Sequence, residues 1–231
     1  MEIQTAAYRH APRCYINLFG EKKGICRDVI KALERENQEI KITGYEKGIK
    51  YKDALTHLQN GSIDFILGFN RKTAEKYQFK IVSPSIYSTG FAIASRRDDP
   101  GIDVNLIELR RLSGDSTLLV RSKSIEEKVL KNYEIFNLDN GGSSFSLMFK
   151  KILAKRGRFV FGYEMDLVQV IRKENLTNHI KILPNRLWET QVYFIFSPKV
   201  PKENVILFEN ALLNLERKKI LQNINKKYFS F

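Results

Sequence analysis

Apolar and polar segments alternate along the first half of the chain in a pattern that predicts a β-α-β-α-β order. Apolar strand-like segments lie at residues 3–8, 40–45 and 63–67, and apolar residues with helical spacing lie at 27–37 and 51–58. Strands that alternate with helices favour a parallel sheet with right-handed crossovers. The first half is therefore predicted to be an α/β unit.

The second half continues the alternation. Its apolar segments predict strands at 87–95, 116–120, 133–136, 158–162, 180–183 and 191–197. Its helical spacing predicts helices at 106–112, 124–130, 145–155, 163–173, 203–215 and 216–228. Residues 137–144 are rich in turn formers, and we predict a loop there that caps the following helix. The whole chain is thus predicted to be α/β, without repeats or low-complexity segments.

One predicted strand end carries a concentration of polar and cationic residues. The strand at 63–67 is followed directly by Asn70, Arg71 and Lys76. Ligands of open α/β sheets bind just outside the carboxyl ends of strands, and arginine is well suited to carboxylate or phosphate groups. We therefore expect an anion-binding wall here. The alternative is a solvated surface loop.

A second candidate site lies at a predicted helix start. Ser124 and Glu127 have the spacing of a capping box, and the N–H groups and positive dipole end of this helix favour an anion, helped by Arg121 or Lys123. A plain structural cap is the alternative. Glu164, at another helix start, is predicted either to pair with a ligand cation or to compensate the helix dipole.

Aromatic residues supply the remaining candidates. Tyr15 and Tyr51 are predicted to sandwich a flat or apolar part of a ligand, as aromatic side chains do in binding clefts. Ordinary half-buried packing is the alternative for both. Cys14 and Cys26 flank a predicted hairpin, so they form either a disulfide or two separate buried thiols.

Composition narrows the class of partner. The chain has 231 residues with 43% hydrophobic and 28% charged residues, which is ordinary for a folded protein of one large domain or two lobes. Its net charge is +13, but lysine and arginine are spread along the chain in runs of no more than three. Nucleic-acid binders concentrate such residues on one face, so no nucleic-acid partner is expected. No apolar run is long enough for a transmembrane helix, and no leader is visible, so an exported protein would have lost its leader.

Sequence signals for catalysis are lacking. His10, His57 and His179 do not have the spacing of metal ligands, and the sequence has no nucleophile elbow, phosphate-binding loop or dinucleotide fingerprint. We therefore expect a protein that is not an enzyme and that uses no metal or cofactor.

Short motifs run along almost the whole chain. They are Pro12 with Tyr15, Gly24 to Asp28, Tyr51, Leu58 to Asp64, Thr73 to Lys76, Ser83 to Tyr87, Gly157-Arg158, Ile195 to Ser197 and Ile224 to Tyr228. In this order and spacing, the chain resembles the bacterial extracellular solute-binding proteins of the polar-amino-acid group.

The resemblance implies the type II periplasmic-binding fold. Its two lobes, each a parallel-rich sheet flanked by helices, would comprise residues 1–95 plus 193–231 and residues 96–192. Two hinge crossings would join them, and the ligand would bind in the cleft and lock the lobes closed.

The chain also departs from the family pattern. The carboxylate-clamping arginine of the family falls at Lys76, and Arg71 is predicted to take over its role. Ser122-Lys123-Ser124 stands where the family has a Gly-Thr-Thr/Ser segment. The acidic partner for a ligand ammonium falls near Glu164 or Asp166, with Glu164 preferred. These departures bear on the ligand more than on the fold.

The expected function follows from the resemblance. The protein would capture a small polar solute with a carboxylate, such as an amino acid, in the periplasm or at the cell surface. As a monomer it would deliver this solute to the membrane permease of an ATP-binding-cassette transporter. The alternatives are the ligand-sensing module of a membrane signalling protein and an enzyme built on the same scaffold.

Overall fold

A computed structural model describes residues 1–8, 13–17, 19–44, 48–50 and 53–229 of the chain. Pro12 and the predicted ligand residue Tyr51 lie outside the described residues. No helix in these ranges is both long and apolar enough to cross a membrane.

Strands and helices alternate through the described ranges. The strands are β1 Glu2–Gln4, β2 Ala7–Tyr8, β3 Tyr15–Ile16, β4 Lys22–Lys23, β5 Lys41–Thr43, β6 Gly48–Ile49, β7 Phe65–Phe69, β8 Lys80–Arg96, β9 Leu118–Arg121, β10 Leu138–Gly142, β11 Phe159–Tyr163, β12 Ile180–Ile182 and β13 Leu187–Phe196. The helices are α1 Ile25–Glu36, α2 Ala54–Asn60, α3 Arg71–Lys76, α4 Leu106–Arg110, α5 Ile125–Asn132, α6 Phe145–Leu153, α7 Glu164–Lys173, α8 Lys202–Arg217 and α9 Ile220–Phe229.

The chain divides into two compact units. Unit 1 consists of Met1–Ser88 with Thr190–Ser230, and unit 2 is the continuous segment Thr89–Glu189. The chain passes from one unit to the other twice, within β8 and within β13, so each of these long strands contributes to both units.

Unit 1 has its core around Phe65. The ring of Phe65 lies 5.1 Å from that of Phe196, 5.5 Å from that of Phe194 and 5.2 Å from that of Phe208 on α8. Strands β7 and β13 pair antiparallel, with Phe65 opposite Phe196, while β1 pairs parallel with β5. The core therefore joins early and late parts of the chain.

The helix α1 shows how the sequence builds unit 1. Ile25, Val29, Ile30 and Leu33 recur at helical spacing and are all buried, while the opposite face is polar. This apolar face packs against α8 and α9. The predicted helix at 27–37 therefore forms because one face can be buried.

Unit 2 is a mixed sheet covered by helices. Its strand order is β10-β9-β11-β8, with β12 also paired to β8. Strand β9 runs parallel to β10 and β11, whereas β11 and β12 pair antiparallel with β8. Phe91, Leu118 and Phe161 belong to the buried cluster on one face, and Ala92, Phe149 and Val160 belong to that on the other.

Gly157, in the Gly157-Arg158 motif, is required by close packing. Its φ of 94° lies in the left-handed region, and a Cβ there would come within 2.3 Å of a methyl carbon of Leu119. Glycine therefore allows the chain to enter β11 directly beside β9.

Three local predictions differ from the structure. The predicted strand at 133–136 is irregular, because α5 ends at Asn132 and Glu134 adopts a positive φ of 60°. The predicted loop at 137–144 contains β10, which pairs with β9. The polar segment after the predicted strand at 63–67, expected to be a loop, is the short helix α3, capped by Asn70.

Cys14 and Cys26 form a disulfide. Their Cα atoms are 5.1 Å apart, and both side chains are buried. Of the two alternatives open from the sequence, the structure therefore has the bond, which links the segment before Tyr15 to α1.

Candidate functional site

In unit 1, Asn70 and Arg71 occupy the carboxyl end of β7. Asn70 is the N-cap of α3, and its side-chain oxygen accepts a hydrogen bond of 2.9 Å from the Thr73 N–H. Arg71 is the first residue of α3 and is exposed. Its guanidinium carbon lies 5.4 Å from the ring centroid of Tyr193 on β13. The cation is thus held beside an aromatic ring at the strand end.

Lys76 does not lie on the same side of α3 as Arg71. Five positions correspond to a rotation of about 140° around a helix axis. The Lys76 ammonium is exposed and lies 5.5 Å from the ring centroid of Tyr77. Arg71 and Lys76, the two cations of the predicted anion-binding wall, therefore lie on different sides of α3 and contact different aromatic rings.

Tyr15 is half-buried on β3, next to the disulfide. The neighbouring α1 carries Asp28, whose carboxylate accepts hydrogen bonds from the Tyr228 hydroxyl at 2.9 Å and from the Lys227 ammonium at 2.5 Å. Burial, followed by the hydrogen bond to Asp28, raises the pKa of Tyr228. The Gly24 to Asp28 and Ile224 to Tyr228 motifs, far apart in sequence, thus meet in unit 1.

In unit 2, the predicted residues gather at one sheet edge. β9 and β11 are parallel neighbours, so their carboxyl ends lie at the same edge. Arg121 ends β9, Ser124 begins α5, and Glu164 begins α7 directly after β11. This is the edge at which open α/β sheets bind ligands.

Arg121 is held by neighbouring side chains of unit 2. Its guanidinium carbon lies 4.4 Å from the ring centroid of Phe145, and Nη2 donates to Oε1 of Glu126. The same nitrogen lies 4.0 Å from the Asp166 carboxylate. Glu126 is fully buried, and neither its Oε2 nor Nε of Arg121 has a hydrogen-bond partner among the described residues. Arg121 is therefore oriented by an aromatic ring and a buried acid.

Glu127 already forms hydrogen bonds with Lys123 and Ser124 at the N-terminal end of α5. Ser124 Oγ accepts a hydrogen bond of 3.2 Å from the Glu127 N–H, as the capping pattern predicts. The Glu127 carboxylate accepts hydrogen bonds from the Lys131 ammonium at 2.6 Å, from the Asn140 amide at 2.7 Å and from the Lys123 N–H at 2.7 Å. These bonds lower the pKa of Glu127 to about 2. The Lys123 N–H, part of the predicted anion site, is thus engaged within the chain.

Glu164 is buried and paired. Nε of Arg186 lies 2.8 Å from its Oε2, and Nη2 of Arg186 donates to its Oε1 at 3.2 Å. Burial raises the pKa of Glu164, while the Arg186 charge opposes the rise. The predicted partner of a ligand cation therefore already has a cation within unit 2.

A cavity of about 350 Å³ lies elsewhere in unit 1. Its lining includes Ser85, Glu216 and Asn225, and none of the predicted ligand residues that the structure describes contributes to it. Within the described ranges, no group of three or more histidine, cysteine or carboxylate side chains is arranged as a metal site.

Comparison with known families identifies the chain. The model of the bacterial extracellular solute-binding proteins, family 3, matches residues 4–231. The chain belongs to this family. Solute-binding proteins capture small molecules, so the family is one of binding proteins rather than of enzymes.

Solved structures similar to this solute-binding protein show the same fold. The L-cystine solute receptor of Neisseria gonorrhoeae, in its unliganded open conformation, matches with a TM-score of 0.76 and 16% identity over 99% of this chain and 92% of that chain. A probable amino-acid transporter binding protein of Bacillus subtilis matches with 0.74 and 18% over 99% and 97%. The second substrate-binding domain of GlnP from Lactococcus lactis matches with 0.75 and 19% over 100% and 96%. The predicted α/β class with type II architecture is confirmed. No curated protein matches the sequence.

Several contacts of this solute-binding protein were not found from its sequence. Tyr193 beside Arg71, Phe145 beside Arg121 and Arg186 beside Glu164 all come from distant segments. The sequence does hold a signal for Glu126: it lies four residues before Leu130, which places it on the buried face of α5.

We predict that Glu127 makes the stability of the protein depend on pH in the acid range. A carboxylate whose pKa is lowered in the folded state adds stability that is present above its unfolded pKa, about 4.3. This stability is lost as the pH falls towards the folded pKa of about 2. Between pH 5 and pH 3, the urea midpoint of Glu127→Gln is expected to fall less than that of the wild type.

Glu134→Gln is the control, because Glu134 is exposed and has an ion pair with Arg110 at 3.6 Å. Its urea midpoint should follow that of the wild type at each pH. Parallel pH profiles for the wild type and Glu127→Gln would contradict the assignment.

Proposed function

We propose that this solute-binding protein captures a small polar solute that carries a carboxylate, in the periplasm or at the cell surface. It delivers the solute as a monomer to the permease of an ATP-binding-cassette transporter. The family supports the general role. The observation that supports a carboxylate on the ligand is the position of Arg71, whose exposed guanidinium lies at the carboxyl end of a buried strand.

The surroundings of Arg71 favour a ligand role over a purely structural one. Among the described residues, no carboxylate contacts its guanidinium, which lies over the ring of Tyr193. The Tyr193 hydroxyl itself donates to the side-chain oxygen of Gln191. An arginine oriented by an aromatic ring keeps its N–H groups for a bidentate contact with a carboxylate.

The proposal gives each unit its own ligand residues. In unit 1 we propose that Arg71 supplies the main charge, with Asn70 fixing the start of α3, and with Lys76 and the tyrosines 15 and 51 as further contacts. In unit 2 we propose Arg121, Lys123 and Ser124 at the common edge of β9 and β11, with Glu164 bordering the ligand while paired with Arg186. In this proposal unit 1 acts as lobe one and unit 2 as lobe two, with breaks at 88/89 and 189/190 rather than at the 95/96 and 192/193 that the resemblance implies.

The test is calorimetric titration with a panel of amino acids, hydroxy acids and dicarboxylates, guided by mass spectrometry of any solute that copurifies. At least one carboxylate should bind to the wild type. Arg71→Ala is expected to weaken its binding by about 10- to 150-fold, the equivalent of a charge-assisted hydrogen bond of about 1.5–3 kcal/mol.

Lys72→Ala provides the matched control. Lys72 is the neighbouring exposed cation on α3, and its removal changes the net charge equally. The affinity of Lys72→Ala should stay within about twofold of the wild type, as for the loss of an exposed surface charge. The proposal fails if no member of the panel binds, or if both variants lose affinity to the same extent.

A further inference from the structure

Arg186 neutralises the buried carboxylate at the ligand edge of unit 2. It approaches both oxygens of Glu164, at 2.8 Å and 3.2 Å, and its Nη1 also lies 3.2 Å from the Glu189 carboxylate. Glu164 is only 9% exposed, so water screens this interaction weakly. A buried carboxylate with a close cation has little attraction left for a second cation.

The position of Arg186 is built into the fold. A side chain at Gly90 on β8 would meet the Cβ of Arg186 at 3.1 Å and the carbonyl oxygen of Leu187 at 3.0 Å. Trp188 anchors the same segment by edge-to-face contact with the ring of Phe91, at 5.8 Å. The backbone at Arg186 is therefore held against the unit 2 sheet, within side-chain reach of Glu164.

The other carboxylates of this edge also have cations nearby. Glu126 binds Arg121, and Glu127 binds Lys131 at 2.6 Å. Asp166 lies 4.0 Å from the Arg121 guanidinium. The candidate carboxylates of unit 2 thus all face positive charge from their own unit.

The candidate cations of unit 1 differ in this respect. Arg71 lies over the ring of Tyr193, and Lys76 lies beside the ring of Tyr77. In the described part of the chain, neither forms an ion pair with a carboxylate. Within unit 1 the candidate cations thus remain available to a carboxylate, and within unit 2 the candidate carboxylates are already compensated.

We propose that Arg186 determines the charge class of the solute, by occupying Glu164 and so favouring carboxylates that lack an ammonium group over α-amino acids. The solute class is then small dicarboxylates and hydroxy acids. An α-ammonium would have to displace Arg186 from Glu164 or stay unpaired, and either costs free energy that a hydroxyl or methylene does not. This inference rests on the proposed function and specifies its ligand.

The experiment compares solutes that differ only at the α-position. Glutamate, 2-hydroxyglutarate and glutarate form one set, and aspartate, malate and succinate form another. Calorimetric titration of the wild type is expected to give at least tenfold tighter binding for the best member without an ammonium group than for its amino acid. Tighter binding of the amino acid in both sets would overturn the inference.

Two variants should move this preference in opposite directions. Arg186→Gln uncovers the Glu164 carboxylate and is expected to shift the affinity ratio at least tenfold towards the amino acid. Glu164→Gln leaves Arg186 without its main partner. It is expected to shift the affinity ratio further towards the solutes that lack an ammonium group. Because the second variant removes a buried charge, it keeps the test decisive if Arg186→Gln does not fold. Ratios unchanged in the folded variants would overturn the inference.

Arg111→Gln is the control for loss of one positive charge from unit 2. Arg111 is exposed, and its ion-pair partner in the described part of the chain is Glu108, one helical turn away. It should leave the affinity ratio unchanged. A protein that binds no member of the wider carboxylate panel contradicts the proposed function itself, whereas Arg71-dependent binding that favours amino acids contradicts only this inference.

Discussion

Asp99→Ala is expected to lower the free energy of unfolding by about 3–5 kcal/mol, the usual cost of breaking a buried ion pair from one side. The Asp99 side chain is 4% exposed, and its carboxylate accepts hydrogen bonds from Arg158 Nε at 2.9 Å and Nη2 at 3.1 Å. It also accepts one from the Gly101 N–H at 2.7 Å. Burial by itself raises the pKa of Asp99, but these bonds outweigh it and the pKa is lowered. Alanine would leave the Arg158 charge and the Gly101 N–H without their acceptor.

Urea unfolding measures this loss, with Asp98→Ala as the control. Asp98 is the adjacent acid, 76% exposed, and pairs with Arg96 at 3.3 Å. Its removal should cost less than about 1 kcal/mol, as for other surface ion pairs. The double variant Asp99→Ala/Arg158→Met should recover part of the loss, because it removes the stranded charge. Equal effects of the Asp98 and Asp99 substitutions would contradict this account.

Replacing both Cys14 and Cys26 with alanine is expected to cost about 3 kcal/mol, because the bond closes a short loop whose freedom in the unfolded chain it restricts. The two residues are separated by 12 positions. The melting temperature should fall by roughly 6–12 °C, from a shift of about 2–4 °C per kcal/mol for a protein of this size. Tyr15 follows Cys14 directly, so amide hydrogen exchange at β3 should also become faster.

Thermal melts with and without reductant provide the control for the disulfide. Reductant should lower the melting temperature of the wild type towards that of the double variant and leave the variant unchanged. A wild-type protein whose melting temperature is insensitive to complete reduction would refute the stabilising role of the bond.

Local apolar spacing predicts those elements whose stability comes from one buried face. Residues 27–37 were predicted as a helix because Val29, Ile30 and Leu33 recur at helical spacing, and α1 buries them. The same logic fails at 133–136. Ile135 is buried in the unit 2 core, but Glu134 beside it adopts a positive φ of 60°, so the segment does not extend into a strand. β10 was missed because Leu138–Gly142 is polar and glycine-rich, and it forms a strand only through its pairing with β9.

In the candidate site, too, local sequence predicts the positions of some side chains but not their partners from distant segments. The position of Arg71 at the carboxyl end of β7 and the bond from the Glu127 N–H to Ser124 follow from local sequence rules, while the ligand role of Arg71 stays a prediction. Local sequence rules could not predict which side chains compensate these charges. Whether Glu164 meets a ligand or Arg186 depends on how the segment before β13 packs on β8, and that contact is distant in sequence. Local sequence thus indicated where charges gather, while the tertiary structure determines which of them are compensated.

The core around Phe65 has a consequence for the order in which the chain folds during synthesis. Phe194, Phe196 and Phe208, which enclose Phe65, leave the ribosome after the whole of Thr89–Glu189. The continuous segment can therefore fold first, while the earlier segment still exposes the apolar surface of β7. Domains of a growing chain fold as units once their residues are available. Unit 1, although it begins the sequence, is the part that must wait, and it is the part exposed to aggregation in the interval.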